Sequence, residues 1–169
     1  IEQYVEMVLG YLRLESTSTD FVFQNCDLDG MIRQAIRKYA PLFVRKRIRL
    51  VYEPVNMEVL TDEKWLLFIL QQILSNAVKY TPTGGHVNVS VVQWEMYVEI
   101  KVSDTGKGIS ESNQASIFKR FYREEEIHNQ PGVGIGLYLT REIVTQQGGY
   151  VTVESQVGKG SAFSIFLPR

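Results

Sequence analysis

The chain has 169 residues, 44% hydrophobic and 22% charged, enough for about one domain with one hydrophobic core. Its net charge of -1, from 18 Lys and Arg against 19 Asp and Glu, does not favour nucleic acid, and we interpret the short basic run at residues 45–49 as a solvated helix end. The single cysteine, Cys26, excludes an intrachain disulfide and favours a reducing cytoplasm, and no apolar stretch approaches the roughly 20 residues that span a bilayer.

The chain begins at Ile1 already in helical rhythm. Residues 1–15 carry an apolar stripe with a spacing of three and four, which predicts a helix whose stripe must be covered, with a partner helix outside this chain as one candidate. Residues 16–26 break the rhythm and predict a linker or a short strand. We therefore expect the chain to be a piece of a longer protein.

A period near 3.6 resumes in LDGMIRQAIRKYAPLF and predicts a helix capped by Asp27 or Asp29. RIRLVYE alternates and predicts a strand. Thr61 and Asp62 then open a strongly apolar helix, EKWLLFILQQILSNAVKY, which must end before Pro82. VNVSVV and YVEIKVS predict an antiparallel hairpin with one covered face.

The connection at residues 104–131 is long, polar and rich in glycine, which is typical of a functional or disordered loop. GIGLYLTREIVTQQ predicts a helix closed by Gly148, and YVTVES and SAFSIFLP predict two final strands. This order of elements indicates an α+β fold, a two-layer α/β sandwich with helices on one face of a mixed sheet.

Two polar groups flank the end of the apolar helix. Asn76 could be a helix-end residue satisfied by local hydrogen bonds, but its amide oxygen also suits Mg²⁺ when phosphates supply the other ligands. Lys79, three residues later, could meet phosphate as a point charge. The sequence alone leaves both interpretations open.

A second motif, Asp-Thr-Gly-Lys-Gly from Asp104 to Gly108, directly follows an apolar strand. It could be a plain turn. A carboxylate at a strand end can also accept a hydrogen bond from an exocyclic amine, while Gly106 and Gly108 let a flat ring approach the backbone. A third motif, PGVGIGLYLT, places glycines before a helix N-terminus, where free N–H groups attract anions.

Taken in order, QQILSNAVKYTP, SDTGKGIS, IFKRFYR and GVGIGLYLTREIV resemble the N, G1, F and G2 boxes of the superfamily that contains histidine kinases, type II topoisomerases and related chaperone and mismatch-repair ATPases. The resemblance covers roughly residues 27–169. It is strongest to the catalytic ATP-binding domain of two-component sensor histidine kinases, and it implies a Bergerat fold with an ATP lid. The run TDEKWLLFILQQILSNAVKYT further resembles Gram-positive kinases that respond to cell-wall-active peptides.

The resemblance implies ATP and Mg²⁺ as ligands. Asn76 would coordinate the metal, Lys79 and Tyr80 would line the phosphate end, Asp104 would take the adenine amino group, and Arg123 would reach the γ-phosphate. Phe118 and Phe121 would anchor the start of the lid. Asn76, Lys79 and Arg123 are the expected catalytic residues, and the expected nucleotide-binding set is completed by Gln72, Tyr80, Asp104, Gly106, Gly108, Ile109, Tyr122, Gly132, Gly134, Gly136 and Leu137.

Gln72 bears on the choice between transfer and hydrolysis. Hydrolysing members of the superfamily carry a glutamate general base one turn before the Asn, whereas the amide of Gln72 has no useful basicity. Gln72 also departs from the asparagine common in kinases. The resemblance therefore implies transfer of the γ-phosphoryl group to a histidine, with hydrolysis and nucleotide sensing without turnover as alternatives.

The two histidines, His86 and His128, lack the helical acceptor setting, and we interpret both as surface residues. The acceptor is expected upstream, which implies three parts: residues 1–15 as the tail of a dimerisation helix, 16–26 as a linker and 27–169 as the catalytic domain. The implied partners are the protein's own dimerisation domain and membrane sensor region, a response regulator and a second subunit. The implied location is the cytoplasmic side of a membrane-anchored bacterial protein.

Overall fold

A computed structural model describes residues 21–119 and 136–169. The predicted helix at residues 1–15 and most of the glycine-rich loop lie outside the described residues. In chain order the elements are β1 (Phe23–Asp27), α1 (Leu28–Arg45), β2 (Arg49–Tyr52), β3 (Glu58–Asp62), α2 (Glu63–Tyr80), β4 (His86–Gln93), β5 (Tyr97–Asp104), α3 (Glu111–Gln114), α4 (Gly136–Gln146), β6 (Tyr150–Gln156) and β7 (Gly160–Pro168).

The main sheet has five strands in the order β2-β4-β5-β7-β6. β2 runs parallel to β4, and the other neighbours are antiparallel, so the sheet is mixed. Val89, Val102, Phe163 and Val153 are successive register partners across its middle, from β4 to β6. The predicted α+β architecture with a mixed sheet is confirmed.

The helices cover one face of this sheet because α1, α2 and α4 are amphipathic. Their apolar residues, among them Ile32, Ile69 and Ile143, form one buried cluster with Ile100 and Ile165 of the sheet. None of these five side chains is more than 1% exposed. Burying such side chains is the main favourable contribution to folding, at roughly 1.5–3 kcal/mol each. The core lies directly beneath the helix that carries the N-box motif.

The opposite face of the sheet is partly covered as well, which the prediction of one covered face did not include. Glu99 is only 8% exposed. Its carboxylate accepts hydrogen bonds from Trp94 Nε1 at 2.9 Å and from Ser164 Oγ at 2.6 Å. Beside it, the rings of Tyr150 and Phe166 stack with centroids 4.3 Å apart.

A second sheet of two antiparallel strands, β1 and β3, precedes α2. The sequence pattern does not indicate β3, because Thr61 and Asp62 also fit the start of a helix. In the structure Asp62 ends the strand and caps the helix: its Oδ1 accepts from Trp65 N at 3.0 Å and its Oδ2 from Val22 N at 2.8 Å. One side chain thus joins the residue before β1 to the start of α2.

Helix ends follow the predicted signals at α2 and α4. Asp27 occupies the N-cap position of α1 without a side-chain capping bond, whereas Asp29 bonds to Tyr52 and Arg33 instead. Gly148 has φ +87°, the left-handed conformation expected after α4. Among the described residues, no helix is long and apolar enough to cross a membrane.

Candidate functional site

The last turns of α2 carry the N-box residues. Gln72 and Asn76 are one helical turn apart and share a face, with Gln72 buried and Asn76 half-buried. Lys79 and Tyr80 are half-buried at the end of the helix. Two carbonyl groups at the end of the helix accept further hydrogen bonds. Thr81 N donates to Ala77 O at 3.1 Å, and the side chain of Lys46, directly after α1, donates to Val78 O.

Asp104, at the end of β5, is held by the backbone on two sides. Its Oδ1 accepts from Gly106 N at 2.8 Å and from Ser161 N, at the start of β7, at 3.2 Å. Burial raises the pKa of the Asp104 carboxyl, and the two backbone hydrogen bonds oppose that rise in pKa. Among the described residues, these two N–H groups are the hydrogen-bond donors to this carboxylate, and both bond to Oδ1 rather than Oδ2.

The glycines after Asp104 pack against the protein itself. A Cβ on Gly106 would lie 2.4 Å from the carbonyl oxygen of Tyr80. Gly108 has φ +77°, and a Cβ there would lie 2.2 Å from the carbonyl oxygen of Gln156. These contacts alone require glycine, so the role of both residues in admitting a flat ring stays a prediction. The Gly106 contact brings the Asp104 segment against the end of α2.

The first residue of β4 is bonded to the same segment. His86 N donates to Thr105 Oγ1 at 2.9 Å, and Thr105 N donates to His86 O at 3.1 Å. His86 is exposed, in agreement with its interpretation as a surface residue. The G1-box segment is therefore joined to the start of β4 by these hydrogen bonds and to the end of the N-box helix by the contact between Gly106 and Tyr80.

The exit from the Asp104 motif is bonded to the β6–β7 hairpin. Ile109 N donates to Ser155 Oγ at 2.7 Å, and Gln114 Nε2 donates to Ile109 O at 2.8 Å. Phe118 is buried with its ring edge-on to Phe163, their centroids 6.3 Å apart. This packing supports an anchoring role for Phe118, which stays a prediction.

The G2 box is described only from Gly136 onward. Gly136 and Leu137 are half-buried in the first turn of α4, and Thr140 Oγ1 donates to Gly136 O at 2.9 Å. The remaining predicted residues of the lid and F box lie outside the described residues: Phe121, Tyr122, Arg123, His128, Gly132 and Gly134. The structure therefore brings together the N box, the G1 box and the start of the F box.

Two contributing residues were missed in the sequence. Ser161 holds Asp104 through its backbone N–H, and Ser155 accepts from Ile109 N. Both flank the QVGKG turn between the two final strands. Gly160, with φ +128°, lies so close to Asp104 that a Cβ would be 2.0 Å from its carbonyl oxygen, so the glycines of that turn were the available signal.

The donor set limits how the chain could hold a metal. The described residues contain no group of three or more His, Cys, Asp or Glu side chains suited to a metal ion. The amide oxygens of Asn76 and Gln72 are neutral, hard donors on one helix face. These residues fit Mg²⁺ only if the phosphates of a bound nucleotide supply most of its ligands.

Residues 61–169 match the family described as histidine kinase-, DNA gyrase B- and HSP90-like ATPases, and the chain belongs to this family. Its relatives include the sensor histidine kinase RppB of Synechocystis (32% identical, over 99% of this chain and 38% of RppB) and the adaptive-response sensory kinase SasA of Synechococcus (39%, over 83% and 38%). The chain is thus a domain of the kind found in sensor histidine kinases, and it spans well under half of these two relatives.

Solved structures agree on the fold. Full-length ShkA, solved with AMPPNP, aligns with a TM-score of 0.86 at 28% identity, over 98% of this chain and 35% of ShkA. The mycobacterial sensor histidine kinase MprB aligns with a TM-score of 0.73 at 26% identity, over 86% of this chain and 97% of that chain. The nucleotide-free catalytic domain of ThkA, at 21% identity and a TM-score of 0.78, shows the fold alone.

Proposed function

We propose that this chain binds Mg·ATP and positions its γ-phosphoryl group for transfer to a histidine of a dimerisation domain outside the chain. The observation that carries the proposal is the joining of the two motif segments at the contact between Gly106 and Tyr80. It supports a nucleotide lying with its base at Asp104 and its phosphates at the end of α2. The AMPPNP in the ShkA structure supports the same ligand class.

Asp104 is suited to select adenine. Its Oδ1 is occupied by two backbone N–H groups, so the carboxylate is held in one orientation before any ligand arrives. Its other oxygen, Oδ2, can accept a hydrogen bond from the exocyclic amine of adenine. Guanine carries a carbonyl oxygen at that ring position, and two acceptors facing each other would repel.

The end of α2 is suited to the phosphates. Asn76 offers an amide oxygen toward the metal, and Lys79 offers a positive charge. Mg²⁺, when bound, would neutralise charge on the terminal phosphates. Arg123 is proposed to meet the γ-phosphate, and Gly132, Gly134 and Gly136 to supply backbone donors. Phosphoryl transfer needs mainly such positioning and charge neutralisation.

Transfer is favoured over hydrolysis because Gln72 occupies the position one turn before Asn76. Its amide cannot take a proton from water. Hydrolysis by the same fold is the second candidate, and nucleotide sensing without turnover is the third. The family membership does not separate these three, because it includes ATPases as well as kinases.

The partners are proposed from the relatives. ThkA has been solved in complex with the response regulator TrrA, which supports a response regulator as the partner that receives the phosphoryl group. A dimerisation domain, a second subunit, a membrane sensor region and a cytoplasmic location are proposed from the resemblance to sensor histidine kinases. The identity of 30% with GraS of Staphylococcus haemolyticus is no higher than that with the cyanobacterial relatives, so it does not favour the Gram-positive subfamily.

The test is transfer in trans. This chain is mixed with γ-labelled ATP and a separately supplied dimerisation domain, and we expect label on the histidine of that domain and none on His86 or His128. Arg123→Ala should reduce transfer about tenfold or more, because it removes a donor proposed to stabilise charge on the transferred phosphoryl group. Steady release of inorganic phosphate without transfer would favour the hydrolase, and ATP binding with neither outcome would favour the sensing module.

A further inference from the structure

Lys46, the residue directly after α1, reaches the end of α2. Its Nζ donates to Val78 O at 2.7 Å and lies 3.4 Å from Lys79 O. Both acceptors belong to the last turn of the helix, where carbonyl groups have no partner within the helix. The residue is 32 positions from Val78 in sequence and belongs to the basic run at residues 45–49, whose interpretation as a solvated helix end is wrong for Lys46.

The main chain of Lys46 holds the following turn. Gly84 N donates to Lys46 O at 3.0 Å, and Arg49 N donates to Gly85 O at 2.9 Å nearby. One residue therefore bonds to the helix end through its side chain and to the turn after it through its backbone. The segment between these two attachments contains Lys79 and Tyr80.

The charge of Lys46 is directed at carbonyl groups. Within the described part of the chain, Arg33 and Asp29 form an ion pair, whereas Lys46 has no carboxylate partner. Its side chain is half-buried, and this burial lowers the pKa of its ammonium group. A cation at a helix C-terminus interacts favourably with the helix dipole, but removing the cation from water costs free energy. Water could bond the same carbonyl groups without that cost. The arrangement restrains the geometry of the last turn.

We propose that Lys46 is a positioning residue for the phosphate end of the site. It holds the last turn of α2 so that Asn76 and Lys79 present their side chains to the phosphates of the nucleotide. Asn76 lies two residues before one acceptor, and Lys79 supplies the other acceptor through its own carbonyl. The inference rests on the proposed function and assigns no contact between Lys46 and the nucleotide.

The experiment compares the affinities of the chain for Mg·ATP and for adenosine by calorimetric titration, together with melting temperature. Lys46→Met keeps the stem and removes the donors, and Lys46→Arg restores a charged donor. Arg45→Met is the matched control, because Arg45 is the neighbouring residue and the variant removes the same charge from its exposed side chain. If Lys46→Met is unfolded at the assay temperature, Lys46→Gln replaces it.

We expect Lys46→Met to weaken Mg·ATP binding about tenfold, the lower end for residues that orient a metal ligand. Adenosine affinity should stay unchanged, because adenosine reaches only the Asp104 end. Lys46→Arg and Arg45→Met should bind ATP within about twofold of the unchanged chain. Equal losses for ATP and adenosine, or an equal loss in Arg45→Met, would overturn the inference. Failure of the unchanged chain to bind ATP would instead overturn the proposed function.

Discussion

Gly106 packs against the carbonyl oxygen of Tyr80, so closely that a Cβ on Gly106 would lie 2.4 Å from it. This contact joins the loop after β5 to the last residue of α2. The obstructing atom is backbone, which cannot rotate away as a flexible side chain could. The distance between the proposed base and phosphate ends of the site therefore depends on residue 106 being a glycine, which has a hydrogen atom in place of a Cβ.

Gly106→Ala should consequently destabilise the fold and weaken nucleotide binding together. Overpacking of this kind costs about 1–3 kcal/mol. Urea unfolding measures the stability, and titration with Mg·ATP measures the binding. Gly158→Ala is a useful comparison, because Gly158 has open space around it and its strain comes only from φ +84°. An alanine at 106 that leaves both quantities unchanged would show that the two segments are not held at this contact.

Much of this arrangement could be predicted from the sequence. The apolar helix before Pro82, the hairpin of β4 and β5 and the helix closed by Gly148 all carry strong periodicity or turn signals. Strand β3 was missed because its five residues merge directly into the cap of α2 at Asp62.

The contacts that hold the site were less accessible to sequence reasoning. The bond from Ser161 N to Asp104 depends on the register of β5 with β7, across 57 residues. The bond from Lys46 to Val78 depends on how α1 packs beside α2. Neither separation leaves a local pattern, because only the folded topology brings these residues together.

Asp104→Asn tests how the fold tolerates the charge of Asp104. Burial raises the folded-state pKa of this carboxyl, so the folded state favours its protonated form. The stability attached to this group is fully present below the unfolded pKa and is lost as pH rises through the folded pKa. We expect Asp104→Asn, whose amide oxygen can still accept both backbone bonds, to be at least as stable as the unchanged chain at pH 7.

The comparison is made by urea unfolding at pH 7 and again near pH 4. The advantage of the asparagine should shrink at the lower pH, where the aspartate is increasingly protonated. A variant clearly less stable at pH 7 would contradict the account of a carboxylate kept for binding at a cost in stability.

For Asp29 we expect the opposite pH dependence of folding stability. Its hydrogen bonds from Tyr52 and Arg33 lower the pKa of its carboxyl. A lowered folded-state pKa contributes stability above the unfolded pKa, and this contribution is lost as pH falls through the folded pKa. Tyr52→Phe removes the largest cause of the lowered pKa, so the loss of stability between pH 5 and pH 3 should be smaller in this variant. An unchanged acid dependence would show that the Tyr52 bond does not hold the carboxylate.

Gln72→Glu tests the assignment of transfer over hydrolysis. A carboxylate one turn before Asn76 would supply the missing general base, and such bases typically contribute about 10²–10⁴-fold. We expect steady release of phosphate from ATP to rise at least tenfold. Gln71→Glu is the matched control, since Gln71 is its neighbour and accepts from Lys38 Nζ at 3.4 Å. An equal rise in both variants, or none in Gln72→Glu, would contradict this role of position 72.

The most direct test of the central claim is a Mg²⁺-dependent titration of this chain with ATP and with GTP, repeated on Asp104→Asn. A charged hydrogen bond contributes about 1.5–3 kcal/mol, so the account predicts that the unchanged chain prefers ATP at least tenfold and that Asp104→Asn loses roughly tenfold or more in ATP affinity. Equal binding of ATP and GTP, or an Asp104→Asn chain that binds ATP as tightly as before, would contradict the assignment of the adenine end to Asp104.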